Sequence, residues 1–383
     1  WILRFSNRFS KTCAFRAKLT DRQEMERERI KQPEAIPDSD YDKTIRHYQE
    51  WIARQKNGQL LIKGDECEFQ QSRQGLIRYY LNAVFEHTAL SSWGVFEHII
   101  KRQSGRHKHQ GGIIIYVLEG EGMTETNGKI LDWQEGDLLL LPVQPDGSVH
   151  QHWNKDASKG CRWVAFRDLL MARYIANAID QVSDTPDLRS ASTSGPHGQR
   201  QDEWKVTATT EQTPMFAHPD DLKSVNLFDE LLALRDLQRK RLEQATFLIR
   251  GSELPWEQNA HGKMQWYLHP SLAYTAVQTH LFYRQEIPPG SRSGVQRHGG
   301  DAVFYILEGE GYTEVDGVRH VWKAGDVMTL PVFDRGVVYR HVNTGAKRVR
   351  LIMIERNLVH TVGVDRQSGF EQLQPCPEYR EAK

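Results

Sequence analysis

The chain repeats itself. Residues 105–154 and 294–343 align without a gap at a constant offset of 189, so that His109 falls on His298 and Pro142 on Pro331, and 22 of the 50 aligned positions are identical. The match extends upstream, where Ile62-Lys63-Gly64 corresponds to Ile249-Arg250-Gly251 and residues 75–81 (GLIRYYL) to 262–268 (GKMQWYL), now at an offset of 187. A duplicated unit of about 110 residues must build the same fold twice, which limits a chain of 383 residues to two like domains and their connections.

Inside a unit, short runs of β-branched, leucine and aromatic residues are punctuated by glycine and aspartate. Residues 113–119 read as a strand and Gly120-Glu121-Gly122 as a turn. Residues 123–126 read as a second strand closed by Asn127-Gly128, a strong hairpin signal, and 138–141 as a buried strand stopped by Pro142. Many short antiparallel strands at this spacing predict a mainly β chain of two barrels or sandwiches. A helical stretch precedes each, at 41–56 and at 226–244, the latter with Leu227, Leu231, Leu234 and Leu237 as packing residues. Residues 183–213, rich in Ser, Thr, Gly, Pro, Asp and Gln, read as an exposed linker, and the segment after Gln367 as an irregular surface extension.

Charge and cysteine content narrow the function. Fifty basic and fifty acidic side chains leave no net charge, which argues against a nucleic-acid or membrane-surface protein held by bulk electrostatics. The longest apolar run, 113–118, is far too short to span a bilayer. Cys13, Cys67, Cys161 and Cys376 form no CxxC pair, so neither a disulfide scaffold nor a thiolate zinc site is expected. Five basic residues precede the first acidic one, Asp21, which resembles a transit peptide; the reading adopted is a basic, disordered leader and a cytoplasmic protein.

Sixteen histidines are many, and four of them cluster. His107 and His109 flank one residue, as do His150 and His152, and in extended chain such pairs project to one side. Three or four imidazoles converging inside a small barrel suit Fe(II), Ni, Cu or Zn.

Here the sequence resembles the cupin superfamily. Its first motif is represented by His107, His109 and Gly120, and its second by Gly136, Pro142, Gly147, His150 and Asn154. Three extra residues lie between Pro142 and Gly147. The resemblance covers both repeats and implies a bicupin of two jelly-roll (double-stranded β-helix) barrels. The family's glutamate ligand would fall at Ile113 or Ile114, neither of which binds metal, so the implied ligand set is His107, His109 and His150. A three-histidine bicupin is the pattern of gentisate 1,2-dioxygenase and related enzymes acting on salicylate or hydroxynaphthoate. The resemblance therefore implies ring cleavage of a hydroxylated aromatic acid by Fe(II) and O2, with Mn, Ni or Zn as alternative metals. In the second repeat the same positions hold Gln296, His298 and Tyr339, with His341 opposite His152, a degenerate metal site. The match of His152 with His341 suggests a buried hydrogen bond or, in the first barrel, a proton donor. Arg78, Arg162 and Arg167 are candidates for a substrate carboxylate, and Tyr80, Tyr116 and Trp153 for the wall against its ring.

The expected order is a leader (1–40), a metal-binding barrel (41–180), a linker (181–220), a second barrel (221–365) and a tail (366–383). By resemblance the chain is a homodimer or homotetramer. The alternatives from other classes are a redox-neutral cupin (isomerase, lyase or decarboxylase) and a non-enzymatic small-molecule binder.

Overall fold

The computed structural model describes residues 39–144, 146–188, 195–200, 219–358 and 371–380; the expected leader lies outside them up to residue 38, and its last residue, Asp40, begins a helix. Each repeat folds into two largely antiparallel sheets around a core. In the first, a seven-stranded sheet is built on Ile113–Glu119, Cys161–Asp168 and Trp93–Ile100, and a six-stranded sheet on Arg106–His109, Ser148–Asn154 and Glu121–Thr126. The second repeats this with Val303–Glu308, Val349–Arg356 and His280–Ile287 in one sheet and Val295–His298, Val337–Asn343 and Glu310–Val315 in the other. Helices occupy Asp40–Asn57 and Leu227–Gln244, the second capped by the Asn226 side chain, which accepts from the backbone N–H of Phe228 and Asp229. Leu227, Phe228 and Leu231 on that helix are exposed rather than packed. Among the described residues no helix is long and apolar enough to cross a membrane, and Cys67, Cys161 and Cys376 are free thiols.

Residues 54–383 form one unit in which the two barrels interlock. Leu61–Ile62, ahead of the first barrel, pairs with Val327–Thr329 of the second; Leu248–Ile249, ahead of the second, pairs with Leu138–Leu141 of the first. The exchange is reciprocal. Gly251 N–H donates to Asp137 Oδ1 (3.2 Å) and Gly64 N–H to Asp326 Oδ1 (2.9 Å). A Cβ on Gly251 would sit 2.1 Å from the Gly136 carbonyl oxygen, so this crossing requires glycine.

Because of the interlock, the long-sheet strands are apolar on both faces, and alternation sends neighbours to different cores. Ile113, Ile115 and Val117 fill the first barrel, whereas Ile114 and Tyr116 join Val164, Phe166, Tyr267, Phe282 and Tyr305 between the barrels. The second barrel is packed by Tyr283, Phe304, Met353 and Tyr339. At equivalent positions the first has Phe96, Ile115, Ala165 and His150, which leaves space inside.

The tail departs from expectation. Glu371–Gln374 pairs with Val295–His298 as an edge strand of the second barrel, and Cys376 beyond it is buried. The first barrel does the same with Asp180–Ser183 against Arg106–His109. Both HxH-position strands would otherwise expose a hydrogen-bonding edge, and the following segment covers it. The expected linker is likewise partly structured: Thr185 is buried and its hydroxyl donates to the Gln103 carbonyl, and Gln199–Arg200 runs parallel to Lys129–Gln134.

Candidate metal centre

Two paired strands bring three imidazoles together. In the register of Ser148–Asn154 against Arg106–His109, His150 faces His107 and Ser148 faces His109, so the three histidines project to the same side. Ring centroids are 4.1 Å apart for His107–His150, 4.7 Å for His109–His150 and 5.4 Å for His107–His109. One nitrogen from each lies within 4.8 Å of the others. The loop before His150 is fixed by Asn127, whose side chain accepts from Val149 N–H and donates to the Gly147 carbonyl. Gly147 has φ +76, and a Cβ there would come within 2.9 Å of the His109 carbonyl oxygen.

The rings are held neutral. Burial pulls His107 down to about 4, with Arg167 adding repulsion, and His109 to about 3, with His107 and Arg167 adding to it. Burial likewise holds His150 and His152 well below the usual imidazole range, with the neighbouring histidines adding to it. His107 Nδ1, His109 Nε2 and His150 Nδ1 are buried with no hydrogen-bond partner. Three neutral imidazoles with orphaned buried nitrogens are a donor set for a borderline divalent cation, so the residues present fit one.

His152 is held differently. Trp133 Nε1 donates to Thr124 Oγ1 (2.8 Å), which lies 2.6 Å from His152 Nδ1. Indole only donates, so the threonine hydroxyl accepts from Trp133 and at the same time anchors the Nδ1 edge of the His152 ring. The second barrel has the same chain, Trp322 to Thr313 to His341, with both contacts at 2.8 Å. This relay belongs to the framework of both barrels.

The triad opens into a cavity of about 150 Å³ whose wall also includes His98, His152, Phe96, Trp163, Tyr79 and Arg167. The Trp163 ring lies between His98 (4.7 Å) and His152 (5.3 Å). Arg167 is half-buried, its Nε has no hydrogen-bond partner, and among the described residues no carboxylate approaches it. Burial lowers its pKa, with Tyr79 opposing, yet a guanidinium stays charged.

Of the sequence candidates for substrate, Arg167 lies with the histidines, and the other five do not. Arg78, Tyr80, Tyr116 and Arg162 fall on the alternate face of their strands, between the barrels. Arg78 (2.9 Å) and Arg162 (3.0 Å) there pair with buried Glu97. Trp153 alternates with His152 and is buried outside the cavity. The physical reason is the interlock, which makes the outer face of this sheet a second core. His98 was missed although it stands two residues from Phe96 and so on the same face of one strand, a period-two signal available in the sequence; the structure pairs it in register with Trp163.

The equivalent site of the second barrel is closed by its own contacts. Tyr339 OH donates to Gln296 Oε1 (2.9 Å) and lies 3.3 Å from His261 Nε2, and Gln296 Nε2 donates to Gln372. His298 Nε2 is 2.7 Å from Glu355 Oε2.

The family model described as Cupin domain matches residues 96–167 and 283–355, so this chain carries that domain twice. A gentisate 1,2 dioxygenase of Aquipseudomonas alcaligenes is 24% identical over 230 residues, 59% of this chain and 59% of the relative. A 5-aminosalicylate 1,2-dioxygenase of a Comamonas species is 22% identical over 273 residues, 69% of this chain and 65% of the relative. The chain thus spans about three-fifths of the length of these curated relatives. Among solved structures, oxalate decarboxylase from Bacillus subtilis aligns with a TM-score of 0.51 at 14% identity, covering 82% of this chain and 78% of that one, a likeness of fold.

Proposed function

We propose that this two-cupin chain is an Fe(II)-dependent dioxygenase that cleaves the ring of a small hydroxylated aromatic acid, of the gentisate or salicylate class, with O2. The observation that carries this reading is the pairing, in one cavity, of a three-imidazole donor set with the uncompensated guanidinium of Arg167. His107, His109 and His150 would hold the metal. Bound there, Fe(II) supplies a redox-active Lewis acid with coordination positions left over for substrate oxygens and O2.

The chain's own residues do the rest. Arg167 receives the substrate carboxylate through charge-assisted hydrogen bonds, which fixes one end of the ring. Phe96 and Trp163 give the ring a flat apolar wall. His152, anchored at Nδ1 by Thr124, lines the cavity and exchanges a proton with a substrate oxygen as charge develops there. Ile113 and Ile115, together with Phe96, keep the cavity apolar and limit water around the reacting atoms.

The absence of a carboxylate ligand beside the triad, where Ile113 and Ile114 stand, favours the dioxygenase over the redox-neutral alternative, as does the similarity to two ring-cleaving relatives. The test is oxygen uptake by the iron-loaded protein across a panel of 2-hydroxybenzoates and dihydroxybenzoates. Uptake equal to substrate consumed, with loss of the aromatic absorbance, is expected. No uptake with any member of the panel overturns the reading, and CO2 release without uptake replaces it by a decarboxylase.

A further inference from the structure

A larger cavity, of about 470 Å³, lies between the barrels and shares no lining residue with the histidine cavity. Equivalent residues of the two repeats line it, including Tyr116 with Tyr305, Leu118 with Leu307 and Gly136 with Gly325. The symmetry breaks in its charges. Glu97 is buried and accepts from Arg78, Arg162, Tyr80 and Tyr305, at 2.9, 3.0, 2.5 and 2.6 Å. The equivalent of Glu97 in the second barrel is Arg284, and the equivalent of Arg78 is Gln265.

Arg284 therefore meets only neutral groups. Its Nη2 donates to Gln265 Oε1 (2.5 Å), its Nη1 to the Tyr116 hydroxyl (3.4 Å), and its guanidinium lies 5.0 Å from the Trp256 ring centre. Its Nε is buried without a hydrogen-bond partner. Arg350 is paired with Glu286 and Lys323 with Asp65. Among the described residues lining the cavity, Arg284 is the cation with no carboxylate within 4.0 Å. A half-buried guanidinium without a counter-charge is unfavourable unless something supplies one.

We propose that this cavity binds a small organic carboxylate whose carboxyl group sits on the Arg284 guanidinium and the Tyr116 hydroxyl. The carbon skeleton packs on Leu118, Leu307 and the Tyr305 ring, which an inorganic anion would leave unused. One uncompensated guanidinium matches one carboxylate, and the fork of N–H donors matches its geometry. The site is separate from the proposed ring-cleavage cavity and does not depend on that reading. Glu135, exposed at the cavity wall, works against the ligand as a like charge.

Calorimetric titration of the full-length protein with succinate and benzoate, at fixed ionic strength and with sulfate as control, tests this. Both carboxylates are expected to bind, and to go on binding in Arg167→Gln, which removes the cation of the other cavity. Arg284→Gln should weaken binding by about tenfold or more. Glu135→Gln, a surface change that leaves the fold alone, should tighten it about twofold. No binding at millimolar ligand, equal binding of sulfate, or affinities unchanged in both Arg284→Gln and Glu135→Gln would overturn the proposal. If Arg284→Gln does not fold, the sign of the Glu135→Gln effect decides.

Discussion

Glu97 and Arg284 occupy equivalent positions of the two barrels and carry opposite charge. Each faces the seam where the barrels interlock, but Glu97 is fully satisfied by four donors and Arg284 is not. Burial raises the pKa of Glu97, and the hydrogen bonds of Arg78, Tyr305 and Tyr80, with the charge of Arg78, outweigh it and bring it below the ordinary value. The two halves of a duplicated chain have thus been put to different uses at one contact.

Glu97→Gln should therefore be strongly destabilising. It removes the buried charge that neutralises two partly buried guanidiniums, leaving Arg78 the Gly64 carbonyl and Arg162 the exposed Glu119, a loss of about 3 kcal/mol. Urea denaturation of the variant checks this, and a change below about 1 kcal/mol would show that the seam tolerates the charge.

Metal content should be close to one equivalent per chain. His150→Ala is expected to lose it, while Tyr339→Phe keeps it. The double change Gln296→His and Tyr339→His should not add a second metal. His298 is engaged by Glu355, and Phe304 and Met353 fill the space that Ile115 and Ala165 leave open in the first barrel. Elemental analysis after dialysis reads all three.

Arg167→Gln is expected to raise KM for an aromatic acid by about tenfold to a hundredfold, with a smaller fall in kcat, because the lost contact is made in both ground and transition states. Arg167→Lys should recover part of it. Steady-state oxygen uptake distinguishes this from loss of metal, which would lower kcat with no saturable activity left.

Stability should fall in mild acid. Burial holds His261 and His341 at about 3, with a neighbouring histidine adding to it, and His280 at about 4, where Asp168 opposes the shift. The unfolded chain titrates near 6.5, so below that pH it binds protons that the native chain does not. The native advantage is complete above about pH 6.5 and is lost progressively from there toward pH 4, by up to about 1.4 kcal/mol per pH unit for each histidine. Denaturation midpoints measured from pH 7.5 to 4.5 should slope this way, and His341→Gln should flatten the slope. A flat profile would mean that these rings are protonated in the native state.

Much of this architecture was readable from residues. A period of two applied to His107 with His109 and to His150 with His152 was enough to predict that they converge, since strand geometry leaves little choice of side. The helices at 41–56 and 226–244 fell within about two residues of the observed ones, because the capping Asn226 and the leucine spacing are local signals. What a period of two could not say is what lies on the other face. Arg78 and Arg167 look alike in sequence, each on an apolar strand and each a plausible anchor for a carboxylate. Arg167 shares its cavity with the histidines only because its parity is that of Trp163, whereas Arg78 has the parity of Tyr80 and faces the second barrel.

The sequence by itself determined that one fold would be built twice and that one copy alone kept three imidazoles in register, because repeats and strand alternation are local and survive without knowledge of the rest. Only the tertiary structure decided which arginine meets the histidines, how the tail covers an open strand edge, and that a lone cation stands at the seam. Those outcomes depend on pairings between residues far apart in the chain, such as Arg297 with Glu371 and Leu61 with Met328, which no local pattern encodes.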